Sequence, residues 1–240
     1  LFTSVVTGMM GATMTGFGID VAGGPAGAFV AVALGTEFGK MVSKETKVDI
    51  LVTPAVTLIM GGIGAKLIGP AIGWCMLKLG DLIMTATEWQ PFLFGIVISV
   101  VVGLALTAPI SSAALCIMLD LSGLAAGAAT VGCCAQMVGF AVASYKENGV
   151  GGLVAQGLGT SMLQISNIIK NPWILLPATL AGAIVGPIST CLLKMTNIPV
   201  GAGMGTSGLV GQIGTFTDMG FTLDTLWKVL LIQIVLPAVL

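Results

Sequence analysis

No side chain between Glu88 and Asp120 carries a charge, and none does between Asp120 and Lys146 or between Lys194 and Asp218. A water-soluble fold needs ionised groups on its surface, and runs of this length cannot hide every side chain in one core. In a bilayer the balance reverses. A charged group costs several kcal/mol at the centre, whereas Leu, Ile, Val and Phe gain there. The chain is therefore expected to be an integral membrane protein. Its 56% hydrophobic and 8% charged residues, and a mean hydropathy of +1.07, point the same way.

At about 20 residues per helical span, 240 residues leave room for roughly seven to nine crossings, half-spans included. Transmembrane β-strands alternate apolar and polar residues, and these runs are apolar throughout. The expected fold is therefore an all-α, polytopic transmembrane helix bundle with amphipathic interfacial helices and re-entrant Gly-rich segments. With net charge −1 and no basic run, nucleic acid is not an expected partner. All nine basic residues are Lys. The absence of His and Arg removes His-based acid/base chemistry and imidazole metal sites, so no metal or cofactor is expected. Five cysteines sit in apolar stretches and read as small buried packing residues. Leu1 without an initiating Met, and an apolar run still open at Leu240, lead us to expect further spans beyond both ends.

Apolar segments are expected over 2–19, 26–38, 50–68, 91–107, 123–145, 173–193 and 223–240, with a turn around Asp20–Pro25. Lys40, Lys44 and Lys47 mark the densest Lys cluster and hence a cytoplasmic loop. Trp89, Trp173 and Trp227 fall at predicted span ends, where indoles favour the headgroup zone. Two segments carry polar stripes at helical spacing. Lys78, Asp81, Thr85 and Glu88 mark the first, opposite Leu77, Leu82, Ile83 and Met84. Gln156, Thr160, Gln164, Asn167 and Asn171 mark the second, opposite Leu158, Met162, Ile165 and Ile169.

Several short matches recur about 124 positions apart. Leu34-Gly35-Thr36 returns as Leu158-Gly159-Thr160, Gly16-Phe17 as Gly139-Phe140 and Pro54-Ala55 as Pro177-Ala178, while Gly69-Pro70 matches Gly186-Pro187 after a short deletion. Thr130, Gln136 and Phe140 are echoed by Thr206, Gln212 and Phe216. The expected organisation is one domain over 1–240 with repeat halves of about 1–120 and 124–240. Many transporters build two alternating states from such halves. Superposing 7–70 on 130–187 should then give one helix order.

The strongest functional signal is Gly201-Ala-Gly-Met-Gly-Thr-Ser-Gly-Leu-Val-Gly-Gln-Ile-Gly214. Glycines let the backbone leave helical geometry and approach a ligand. Exposed backbone at membrane depth survives only where protein or an aqueous cavity covers it. A re-entrant loop lining a pathway and a Gly-rich packing helix both remain open. Gly203, Gly205, Thr206, Ser207 and Gln212 are the candidate contacts there, and Gly205→Val is expected to abolish transport or binding while sparing insertion. The literal dinucleotide fingerprint Gly203-x-Gly205-x-x-Gly208 lacks the strand it needs. Further candidates are Thr36, Glu37, Ser111, Ser112, Thr160, Gln164 and Asn167. Glu37 has an equally good reading as a solvated acid near Lys40. Amides and hydroxyls suit a neutral polyol better than an ion. No base–nucleophile pair is visible, so an intramembrane enzyme is the weakest reading.

Gly159-Thr-Ser-Met-Leu-Gln164, Asn167-Ile-Ile-Lys-Asn-Pro172 and the Gly201–Gln212 run resemble the EIIC-type membrane domain of bacterial phosphotransferase systems, in the perfringolysin O regulator-like (PfoR) branch. The resemblance implies a multi-pass, homodimeric protein of the bacterial inner membrane, surrounded by lipid. It would move a small polar solute such as a sugar, which a cytoplasmic EIIB-type protein phosphorylates. The chain departs from the family pattern in having no His, and these residues include no EIIB-like domain. It is not expected to be an enzyme by itself. Permease, membrane-embedded sensor, and ion-coupled transporter or channel remain the alternatives.

Overall fold

The computed structural model describes residues 2–15, 22–45, 48–108 and 110–240. Gly16, Phe17, Asp20 and Lys47, which entered the turn, repeat and loop readings, lie outside the described residues. The described chain is a helical membrane bundle. Its one β-type pairing is an isolated bridge between Gly123 and Asn197. It divides into two compact units, Leu1–Leu79 and Gly80–Leu240.

The first unit contains α1 (Phe2–Thr13), α2 (Gly24–Val42) and α3 (Asp49–Leu67), which pack on one another. Gly27, Ala31, Gly35 and Gly39 form the buried face of α2. Their four-residue spacing makes a smooth stripe along which helix backbones come close, the way helices associate where burial from water gives no drive. On α3, Ile59, Ile63 and Leu67 point outward. Helix α4 (Gly69–Trp89) carries the first polar stripe, and Lys78, Asp81, Thr85 and Glu88 are all exposed. Leu82, on the opposite side, is exposed too. Gly80 and Thr87 are the residues buried on that part of the helix.

The second unit is organised around α7 (Gly123–Ala143), nearly all of whose residues are buried. It is flanked by α5 (Pro91–Thr107) and α10 (Leu175–Pro187). Contact is made through small residues: a Cβ on Gly103 would lie 2.8 Å from the Gly132 carbonyl oxygen. Ser99 Oγ donates to the Gly182 carbonyl at 2.8 Å. The outward stripes are apolar, with Leu93, Val97 and Val101 on α5 and Leu176, Leu180 and Ile184 on α10. Polar and small inside, oily outside, is the arrangement that a hydrocarbon solvent selects. Among the described residues, three helical runs are long and apolar enough to cross a membrane: Asp49–Leu67, Gly123–Ala143 and Pro172–Leu192. Trp89 and Trp173 stand exposed at helix ends.

One expectation fails here. The second polar stripe does not lie on one helix. Helix α8 (Tyr145–Val154) passes into a π turn at Ala155–Gly159, Thr160 is extended, a 3₁₀ turn follows at Ser161–Gln164, and α9 spans Ile165–Lys170. Gly157 and Gly159 lower the local cost of leaving helical geometry, and Thr160 caps the next turn by accepting from Met162 N at 3.2 Å. Cysteine burial is also only partly met. Cys116, Cys133 and Cys134 are buried, but Cys75 is exposed and Cys191 half-buried.

Candidate functional site

The breaks after α8 bring together groups that an unbroken helix would have spread along one side. Asn167 Nδ2 donates to Gln164 Oε1 at 2.8 Å, and Gln164 Nε2 to Gln156 Oε1 at 3.0 Å. Gln156 Nε2 donates to Ser144 Oγ at 2.9 Å, and Ser144 Oγ donates to the Ala141 carbonyl at 3.5 Å. Gln156, Gln164 and Ser144 are buried. The relay thus satisfies polar atoms that would otherwise each cost about 1–3 kcal/mol. Each link polarises the next, and the whole fixes the amide orientations.

This relay backs an open cleft of about 490 Å³. Ser144, Glu147, Asn148, Gln164 and Asn167 supply its polar wall, and Phe140, Ile174 and Pro177 its apolar one. Its volume lies in the range of small-molecule sites. Amides and a carboxylate beside an apolar lining can hold a molecule that has both C–H surfaces and hydroxyls. A second polar chain runs beside it, deeper in α7. Ser161 Oγ and Thr107 Oγ1 lie 3.0 Å apart, Thr107 donates to Gln136 Oε1 at 3.3 Å, and Gln136 Nε2 donates to Thr179 Oγ1 at 3.1 Å.

The glycine-rich segment is broken, as its composition predicts. Helix α11 (Pro199–Ala202) ends in a turn, a 3₁₀ turn covers Ser207–Leu209, and α12 (Val210–Met219) follows. Gly205 adopts φ +54°, a conformation open to glycine, and a Cβ there would sit 2.8 Å from the Cys133 carbonyl carbon. The hairpin packs against α7. Thr206 Oγ1 reaches Met137 Sδ at 3.5 Å and Gln212 Nε2 reaches Cys134 Sγ at 3.6 Å. Gly203 receives a bond from Ser112 Oγ at 2.6 Å on its carbonyl oxygen. Ser207 Oγ donates to the Gly159 carbonyl at 2.8 Å, tying the hairpin to the π turn. None of these residues lines the polar cleft. Thr206 lines a separate apolar cavity of about 270 Å³ with Leu158 and Leu209.

The remaining candidates scatter. Ser111 caps α6 (Ser112–Met118), and Thr160 caps the 3₁₀ turn. Thr36, in the first unit, bonds its own helix at Val32 O, 2.7 Å away, and exposed Glu37 pairs with Lys40 at 2.7 Å. Of the sequence candidates, Gln164 and Asn167 reach the cleft wall. Ser144, Glu147 and Asn148 carry no sequence signal that marks them as site residues, and Phe140 enters the sequence reading only as part of a repeated pattern.

The whole chain, residues 1–240, matches the family described as Phosphotransferase system, EIIC. The protein belongs to the phosphotransferase system EIIC family. Neither a curated protein nor a solved structure matches the chain significantly. Membership makes it a membrane domain of phosphotransferase-system permease type. The oily outer stripes and buried α7 are the physical counterpart of that assignment.

Proposed function

We propose that this EIIC domain carries a small polar solute, a sugar, across the bacterial inner membrane as a multi-pass permease. The solute rests in the cleft beside α7. The observation that carries this reading is the cleft itself: amides, a carboxylate and Phe140 around about 490 Å³, with a buried hydrogen-bond relay behind them. Gln164 and Asn167 are the contacts shared by the sequence reading and the cleft. Sugars present hydroxyls on their edges and C–H on their faces, and this wall offers a partner to each. Family membership supports a sugar-type solute and a separate EIIB-type protein as phosphoryl donor. A homodimer within lipid and the PfoR-like branch follow from the motif resemblance alone.

The absence of His in these 240 residues favours one second reading, a membrane-embedded sensor that binds the solute without handing it on for phosphorylation. Proteoliposome uptake compared with binding in detergent separates the two. Uptake that Asn167→Ala diminishes supports the permease. Binding without uptake supports the sensor. Uptake indifferent to Asn167→Ala and Gln164→Ala removes the cleft from the pathway.

A further inference from the structure

The polarity of the cleft says more about its occupant than its size does. Among the described residues, Glu147 is the only charged one on its wall, and no Lys lines it. The relay has a direction as well. Every link donates inward, from Asn167 through Gln164 and Gln156 to Ser144 and the Ala141 carbonyl. The outer end of that chain is the side-chain oxygen Oδ1 of Asn167, to which no described residue donates. A donating amide becomes a better acceptor at its own oxygen. The hydroxyl of Ser144 is spent at both ends, accepting from Gln156 and donating to Ala141. Asn148 and Asn167 offer amide N–H donors as well as oxygens, so what biases the wall is its single charge, which is negative.

Resting on the sugar-site reading above, we infer that the cleft selects a polyol bearing a protonated amine, an amino sugar, over neutral sugars, and disfavours acidic or phosphorylated ones. An ammonium group supplies three donors and the complementary charge. A phosphate brings only acceptors and negative charge to the Glu147 carboxylate. The same ordering loosens a solute once it has been phosphorylated, which assists its release. Glu147 acts as the selectivity group and Asn167 as the neutral anchor.

Glucose, glucosamine and glucose 6-phosphate, with the matching galactose series, can be compared by isothermal titration against the full chain in detergent. The exposed position of Glu147 limits the preference for the amine to about two- to fivefold over the neutral sugar. The phosphate should bind weakest. Glu147→Gln should bring the amine and the neutral sugar to equal affinity, and Glu147→Lys should invert the order. Thermal unfolding of each variant verifies that it is folded. Phosphate binding as tight as amine binding, or an amine preference that survives Glu147→Gln, overturns the inference. Failure of every sugar to bind the unaltered chain sinks the sugar-site reading itself.

Discussion

The Tyr145–Lys170 segment and the Pro199–Met219 hairpin are both helices interrupted by glycine, yet they do different physical work. In the hairpin the interruption lets the backbone approach α7 until Gly205 touches Cys133, and the polar side chains turn inward to sulfur and carbonyl partners. In Tyr145–Lys170 the interruption redirects amides toward one another and leaves an open volume in front of them. Glycine frees a backbone in both places. What makes a site is the supply of side chains that can bond each other and still face a cavity.

The largest effect should come from the hairpin. Gly205→Val places a β-branched residue at φ +54° against backbone, a strain of about 1–3 kcal/mol before the clash is counted. Thermal unfolding in detergent should fall by many degrees, and transport should vanish with it. A variant that melts normally but no longer transports would restore the hairpin to the pathway and dissolve the contrast. Gln156→Leu comes next. It removes two buried relay bonds without touching the cleft, and should cost about 1–3 kcal/mol and weaken solute binding through misplaced Gln164. Rescue by Gln156→Asn would show that mere polarity suffices and that relay geometry is unimportant.

Asn167→Ala tests the other side of the comparison. The side chain is exposed, so stability should hold while solute affinity drops by about 1 kcal/mol, roughly fivefold. Equal loss of stability and affinity would mean that Asn167 is a structural residue. The smallest effect belongs to the first unit. Glu37→Gln breaks an exposed pair with Lys40 and should move stability by no more than about 0.5 kcal/mol. A loss of uptake matching that of Asn167→Ala would bring α2 into the site.

Much of this molecule was readable as text. Charge-free runs fix the solvent, because no bilayer tolerates ionised groups at its centre and no soluble surface does without them. Apolar runs then place α5 at Pro91–Thr107 and α7 from Gly123, and density of glycine foretells the break between α11 and α12. Helical periodicity also misleads in one place. It sets Gln156, Thr160, Gln164 and Asn167 on a single stripe, whereas the π turn and the extended Thr160 rotate Thr160 out to serve as a cap.

The sequence by itself determined the medium and the helical class, since those follow from side-chain transfer energies. Only the tertiary structure decided which polar groups meet. Once a helix is interrupted, spacing along the chain no longer specifies direction. The partnership of Ser144 with Gln156, of Gln164 with Asn167, and of all of them with Phe140 across a cleft depends on how the broken pieces fold back on α7.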